Sequence, residues 1–439
     1  MSTVCVRPTR PPSNKSDSVC ISLPAETSRV NRFARRMLLP KLQGLQGGTI
    51  QLTDPSGSVT LGRGGDLQAS LQVHNAAFFR HAVLGGILSV AESYMRGDWD
   101  CDDLTSLFRI FVRNLETTDQ LDRGLSRIAG LVNRVYHHWH ANSKTGSRRN
   151  IHAHYDLGNE FFRLMLDETM AYSSGIFLTP TSTLREASLE KMDRICRKLD
   201  LRPSDHLLEI GTGWGGLAVH AATQFGCRVT TTTISRQQFD VARQRIDEAG
   251  LSDRVTLLLQ DYRELTGQYD KLVSVEMIEA VGFQYFDTYF RKCSELLRPD
   301  STFVLQGIVM PDQRYAQYLR TVDFIQRYVF PGGCLPSMSA MLESTARATD
   351  LRFVHAEDFG THYGQTIREW RIRFHLRLAE VRAMGYPDRF LRMWDYYLSY
   401  CEASFDERYT GVVQIQFDKP LCRRDPITIG SRAAEWRSV

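Results

Sequence analysis

Residues 207–216 read LLEIGTGWGG. An apolar run carrying Glu209 ends at Ile210, and four glycines then fall within six positions: Gly211, Gly213, Gly215 and Gly216. The stretch fits G-x-G-x-x-G through Gly211, Gly213 and Gly216, and G-x-G-x-G through Gly211, Gly213 and Gly215. Glycines let the backbone turn tightly and come close to a ligand, while the next helix presents its N-terminus. The flanks decide what fold carries this loop. A helix SLEKMDRICRKLDL leads into the strand HLLEI, and a helix from about 215 to 225 follows the glycines. Then come the strand RVTTTTI, a helix over 236–249, the strands RVTLLL and KLVSVEM, a helix over 285–297 and the strand TFVLQGIV. This βαβαβ order predicts an α/β fold with a doubly wound, mostly parallel, Rossmann-like sheet that binds ligands at the carboxyl ends of its strands. Two helical runs, about 364–383 and 387–404, precede a last strand, VVQIQF at 412–417, read as an added antiparallel edge.

Upstream the patterns change. Residues 1–28 read as a solvated Ser-, Pro- and Thr-rich tail without the apolar core of a secretory signal. In RVNRFARRMLLPKL at 29–42, Val30, Phe33, Ala34, Met37 and Leu38 form an apolar stripe. Arg29, Arg32, Arg35 and Arg36 lie mostly off it, giving a basic amphipathic helix. Its plain reading is packing on its own domain with a solvated basic face; the sharper one is contact with anionic lipid headgroups. GTIQLTD, GSVTLGRG and LQASLQVHN predict a small antiparallel sheet, followed by helices near 76–95, 102–115 and 121–141. The basic stretch NSKTGSRRN at 142–150 reads as a linker. The expected organisation is thus a tail (1–28), a smaller lipid-associated α+β domain (29–141), the linker (142–150), the ligand-binding domain (151–420) and a C-terminal tail (421–439).

Composition excludes several classes. The 42% apolar and 24% charged content of the 439 residues is that of an ordinary globular protein. Apolar runs fall far short of the ~20 residues that span a bilayer. Nine scattered cysteines without a C-x-x-C pair argue for free thiols and against a disulfide frame. The histidines of YHHWH at 136–140 share no helix face, so no metal is expected. A net charge of +4 makes no case for nucleic acid, and none is expected as a partner.

The ligand on the loop follows from its surroundings. A nicotinamide dinucleotide wants an acid about 20 residues on, to hold a ribose hydroxyl. That region reads TTTTIS. Glu209 is placed to face the cationic amino group of a bound methionine moiety, and Asp261, at the end of the third strand, to accept from an adenine amine. Together they favour S-adenosyl-L-methionine over a dinucleotide.

Longer segments extend the reading. AHYDLGNEFFRLMLDETMAYSSGIF at 153–177, VSVEMIEAVG at 273–282, RYVFPGGCLPS at 327–337 and HYGQTIREW at 362–370 resemble the cyclopropane fatty acid synthase family. The resemblance runs in order from about residue 92 to 405. It implies a class I methyltransferase that adds a methylene carbon from S-adenosyl-L-methionine to the cis double bond of a phospholipid acyl chain, through a carbocation. It places Tyr172, Ser173, Glu209, Gly211, Gly213, Gly215, Thr233, Ser235, Gln238, Gln260 and Asp261 at the cofactor. It also implies a bound bicarbonate as base, held by a set in which Glu279, Ile308 and Tyr363 match. Three positions depart: Ser174 stands for the usual Cys, Ala280 for a His and Gln306 for another His. Ser and Gln still donate hydrogen bonds, but neither becomes cationic near neutral pH. Either bicarbonate sits in a rearranged shell or Glu279 is the base. Glu276, one turn away, reads at least as readily as a strand-end acid. Altered base chemistry opens an alternative product, a methylene- or methyl-branched chain. A small-amine N-methyltransferase and a non-catalytic lipid-binding protein are the other readings weighed. The expected partners are an unsaturated phospholipid, a membrane surface approached peripherally from the cytoplasm, and a second copy of the chain in a homodimer.

Overall fold

The computed structural model describes residues 28–115 and 158–424. The tail before residue 28, the helix expected at 121–141, the linker at 142–150 and residues 425–439 lie outside them.

Seven strands form the main sheet: β5 (His206–Ile210), β6 (Arg228–Thr233), β7 (Val255–Leu259), β8 (Tyr269–Val275), β9 (Leu297–Val309), β10 (Arg352–Asp358) and β11 (Gly411–Asp418). Their order is β10-β11-β9-β8-β5-β6-β7. Pairings among β5 to β9 are parallel, and β11 runs antiparallel to both β9 and β10. The predicted doubly wound sheet is therefore present, with one correction. VVQIQF is antiparallel as expected, but it is not the edge. Seven of the eight residues of β11 are buried, whereas β10 is largely exposed, so β10 takes the edge and β11 needs a neighbour on either side.

The helices around the site are locally specified. Thr183 and Glu186 make a capping box at the start of helix Leu184–Lys198. Its buried face holds Leu184, Ala187, Ser188, Met192 and Ile195, and also Lys191. Helix Gly216–Gln224 begins directly after the glycine loop, and Ser235 caps helix Arg236–Glu248. The late helical runs are Gly360–Leu376, Leu378–Ala383 and Asp388–Asp406.

The N-terminal strands β1 (Gly48–Asp54), β2 (Gly57–Gly64), β3 (Leu67–Val73) and β4 (Trp99–Cys101) are ordered β2-β1-β3-β4. The expected antiparallel sheet is mixed: β3 pairs parallel with β1. After β2 the chain crosses the end of β1 to its far side. Gly65, at φ +145, lies so close to Gly47 that a Cβ would stand 2.2 Å from its carbonyl carbon, so only glycine fits that crossing. Helix Ala77–Met95 is interrupted at Gly86, and helix Leu104–Arg113 follows.

This part is bolted to Asp388–Asp406. The Phe108 and Tyr94 rings lie 4.8 Å and 5.7 Å from Tyr396. Arg109 pairs with Glu407 at 2.7 Å, and the Thr105 hydroxyl donates to Glu402 at 3.1 Å. One apolar cluster extends from Ala34 to Val412. In helix Arg29–Leu42 only one flank of the predicted stripe is covered. Ala34, Leu38 and Leu42 are buried, while Val30, Phe33 and Met37 are 52%, 64% and 43% exposed. Arg35 leaves the basic face to pair with Asp54 at 2.5 Å. Among the described residues no helix is long and apolar enough to cross a membrane.

Candidate active site

A cavity of about 360 Å³ opens at the carboxyl ends of β5 to β9, a size suited to a small-molecule ligand. Its walls include the glycine loop at one end and Glu276, Glu279 and Tyr363 at the other.

At the loop end the glycines bring bare backbone to the wall beside the side chains of Glu209, Thr233, Gln238, Gln260 and Asp261. Gly213 sits at φ +54, and a Cβ built there would meet no atom within 4 Å, so the bare chain borders open space. Glu209, 3% exposed, accepts from the Thr231 hydroxyl at 2.6 Å. Burial pushes its carboxyl up to about 8, against the pull of that hydrogen bond and of the Lys191 charge. Lys191 is itself buried and donates to the Ser173 hydroxyl at 2.7 Å; desolvation lowers its pKa. Thr233 donates to the Gln238 side chain at 2.9 Å, while Ser235 accepts from the Gln238 backbone N–H as a helix cap. Thr233 and Gln238 border the cavity; Ser235 serves the helix behind it. Gln260 and Asp261 are also on the wall. Asp261 is held by Arg263, whose backbone N–H, Nε and Nη2 donate at 3.0 Å, 2.9 Å and 2.6 Å. The Tyr172 hydroxyl meets that of Tyr397 at 3.0 Å.

At the far end side chains dominate. Glu276 follows β8 directly and is half-buried on the cavity wall. Its Oε1 accepts from the Ser174 backbone N–H at 3.0 Å and from Gln306 Nε2 at 2.8 Å. Its Oε2 accepts from the Tyr363 hydroxyl at 2.6 Å. Burial raises the Glu276 pKa, and these three donors and Lys191 oppose the rise. Glu279 Oε1 accepts from the Ile308 N–H at 2.5 Å, and its Oε2 is buried without a hydrogen-bond partner. Burial, then the Glu276 charge, pushes Glu279 up to about 8.

The structure thus gathers Ser174, Gln306, Tyr363, Ile308 and Glu279, the set expected around an anion, but it gathers them on Glu276 and Glu279. Two expectations change. The Ser174 hydroxyl does not face the site; it donates to the Gly175 carbonyl at 3.0 Å, and the backbone N–H is the donor that matters. Glu276 is no idle strand-end acid: it is the hub. Behind it, Gln306 Oε1 accepts from Gln414 Nε2 at 3.0 Å, and Gln414 Oε1 accepts from Lys198 at 2.7 Å. Sequence reasoning missed Lys191, Lys198 and Gln414. Lys191 was findable, because it falls on the buried face of an otherwise amphipathic helix. Gln414 had a weaker sign, a polar residue inside the apolar run VVQIQF.

The fold and this geometry have counterparts. Residues 142–415 match the family model of mycolic acid cyclopropane synthetase. Tuberculostearic acid methyltransferase UfaA1 of Mycobacterium tuberculosis is 39% identical over 353 residues, covering 79% of this chain and 82% of that protein. Cyclopropane-fatty-acyl-phospholipid synthase of Escherichia coli K12 is 35% identical over 367 residues, 81% of this chain and 89% of that one. Among solved structures, mycolic acid cyclopropane synthase CmaA1, complexed with SAH and CTAB, aligns with a TM-score of 0.58 at 28% identity over 62% of this chain and 98% of its own. The resemblance read from the motifs is borne out: the chain belongs to the mycolic acid cyclopropane synthetase family and is an S-adenosyl-L-methionine-dependent methyltransferase that modifies acyl chains.

Proposed function

We propose that the protein alkylates the cis double bond of an unsaturated phospholipid acyl chain and that ring closure gives a cyclopropane. The observation that carries this reading is the single cavity joining the glycine loop to two half-buried carboxylates amid aromatic rings. The open space over Gly213 suits close approach of a cofactor to backbone, so the residues present fit S-adenosyl-L-methionine. When bound, that cofactor supplies an electrophilic sulfonium methyl, which an alkene attacks to leave a carbocation on the acyl chain. Tyr172, Ser173, Thr233, Gln238, Gln260 and Asp261 line the cavity and are the side chains that would hold it. The rings of Tyr363, Tyr397, Phe330 and Phe405 on the same walls exclude water and offer their faces to a cation. Tyr363 is fixed by Phe405, stacked 4.4 Å away. A buried carboxylate nearby stabilises the cation and takes its proton.

A phospholipid source is supported by the exposed Val30, Phe33 and Met37 beside Arg29, Arg32 and Arg36, an apolar row flanked by cations of the kind that settles into an anionic interface. A cytoplasmic protein that visits the inner membrane face, as a monomer or homodimer, is the setting this implies. Arg148 and Arg149, in the basic stretch at 142–150, lie outside the described residues.

A second reading, a methylene- or methyl-branched product, is favoured by Ala280 on the cavity wall at the acceptor end, where the resembled family has a histidine. The likeness to a tuberculostearic acid methyltransferase supports it too. The deciding experiment incubates the protein with vesicles of cis-monounsaturated phospholipid and labelled S-adenosyl-L-methionine, then locates the added CH₂ by mass spectrometry. A ring supports the first reading and a branch the second. Label absent from every acyl chain, with the cofactor bound, overturns both.

A further inference from the structure

Glu276 holds a backbone conformation that residues with a Cβ rarely adopt, at φ +48. Among the described non-glycine residues only Met170, Asp200 and Arg408 share the positive φ. Such strain persists where the surroundings over-determine it, and it concentrates at functional sites. Here it turns the carboxylate into a socket of three donors: the Ser174 N–H, Gln306 Nε2 and the Tyr363 hydroxyl.

The socket is polarised from behind. An ammonium only donates, so Lys198 must donate a hydrogen bond to Gln414 Oε1. Gln414 then has only its amide N–H to offer Gln306 Oε1, and Gln306 must turn its own N–H toward Glu276. The relay has one direction, from cation to carboxylate. Glu357, 2.6 Å from Lys198, anchors its far end. Of about four lone-pair sites on a carboxylate, three on Glu276 are filled. One remains on Oε2, and Glu276 borders the cavity. Glu279 accepts from the Ile308 N–H alone among the described residues and its Oε2 has no hydrogen-bond partner, so of the two carboxyls Glu276, with three donors, is the better seat for a charge.

The donors expected to hold a free bicarbonate are therefore occupied by the chain's own side chain, and the residues present do not fit a separate anion. We propose that Glu276 is the built-in proton acceptor of this enzyme, in the position where a bound bicarbonate was expected, so that turnover needs no bicarbonate. The inference rests on the alkene-alkylation reading above. In the step, a C–H bond of the newly added methyl group breaks and its electron pair forms the closing C–C bond at the cationic carbon. The proton passes to Glu276. Should a 1,2-hydride shift first bring the cation to the methyl-bearing carbon, the same C–H electron pair forms a C=C bond, the acceptor is the same and the product is a methylene-branched chain.

The test compares the parent with Glu276→Gly and Glu276→Gln in buffer stripped of carbon dioxide, with and without added bicarbonate. The assay uses vesicles of cis-monounsaturated phospholipid. Cofactor binding by calorimetry controls for folding, and glycine suits the left-handed backbone at this position. The parent should turn over equally in both buffers. Glu276→Gly should lose ~10²-fold or more without bicarbonate and recover at least about tenfold with it. Glu276→Gln should lose as much and recover nothing, because its amide still fills the socket. Independently of turnover, the ¹³C resonance of labelled bicarbonate should broaden with Glu276→Gly and stay sharp with the parent. A parent that needs or binds bicarbonate, or a Glu276→Gln variant of parental activity, overturns the inference. If the parent binds cofactor yet modifies no lipid, the functional reading fails, and the resonance experiment still decides whether Glu276 fills the socket.

Discussion

The two ends of the cavity are built by different means. At the loop end the chain offers backbone: Gly213 is bare against open space and the threonines are bonded to their neighbours. At the far end a carboxylate is held by groups from residues 174, 306 and 363, themselves backed by 414 and 198. Backbone recognition tolerates little change but depends on few residues. A side-chain socket depends on many residues, and each one removed weakens it in part. The first end should therefore govern cofactor affinity and the second the rate after binding.

The largest effect expected from that division is at Gly213. Gly213→Val puts a branched side chain into the cofactor's space at φ +54, where a β-branched residue is also strained. Cofactor affinity measured by calorimetry should fall by ~100-fold or more, about 2.7 kcal/mol. Parental binding would mean the loop is not the recognition surface. Next comes Tyr363→Phe. It keeps the ring on Phe405 and removes the one donor to Glu276 Oε2 among the described residues. A hydrogen bond to a charged group contributes about 1.5–3 kcal/mol, so kcat should drop about 10- to 100-fold while cofactor affinity holds. An equal fall in both quantities would erase the distinction between the ends.

The same division explains what could be read from sequence. The glycine loop, its strand and its helix are local, each announced by periodicity or turn chemistry within ten residues. Strand neighbours are not local. VVQIQF is recognisable as a strand, but nothing within it says that β10 will cover its outer side. Asp261 carried a readable complication, Arg263 two residues on, which claims its oxygens. Glu276 was hardest. Its segment, VSVEMIEAVG, offers two acids, and choosing between them requires knowing that Ser174, Gln306 and Tyr363 converge on the first. The departures at Ser174 and Gln306 looked like losses from an anion site. With Glu276 in place they are the fittings of a different one.

Each end also holds a carboxyl that burial raises to about 8, Glu209 at the loop and Glu279 at the acceptor. Between the ordinary carboxylate range and about 8, the folded protein keeps protons that the unfolded chain has released. Raising the pH through that window therefore lowers stability, by up to about 1.4 kcal/mol per pH unit for each group. The Tm of the ligand-free protein should fall as pH rises from about 5 to about 8. Glu209→Gln and Glu279→Gln should each flatten the slope, and only Glu209→Gln should alter the pH dependence of cofactor affinity. A Tm insensitive to pH in all three proteins would mean that neither carboxyl is protonated in the fold.

The smallest effect is expected at Gln306, and it tests how the acceptor end is organised. Gln306 is fully buried and does not border the cavity; its side chain bonds Glu276 on one side and Gln414 on the other. It can influence the reaction only through Glu276. In Gln306→His, one ring nitrogen can donate to Glu276 while the other accepts from Gln414, so the relay survives in the neutral tautomer. Turnover should stay within about threefold of the parent, a change of about 0.7 kcal/mol or less. The ratio of ring to branched product should not move, because the residue does not touch the acyl chain. What should move is the acid limb of the kcat–pH profile. A histidine that becomes cationic stabilises the charged form of Glu276, so the limb shifts to lower pH. A changed product ratio with an unmoved acid limb would place residue 306 against the substrate and remove Glu276 as the intermediary between them.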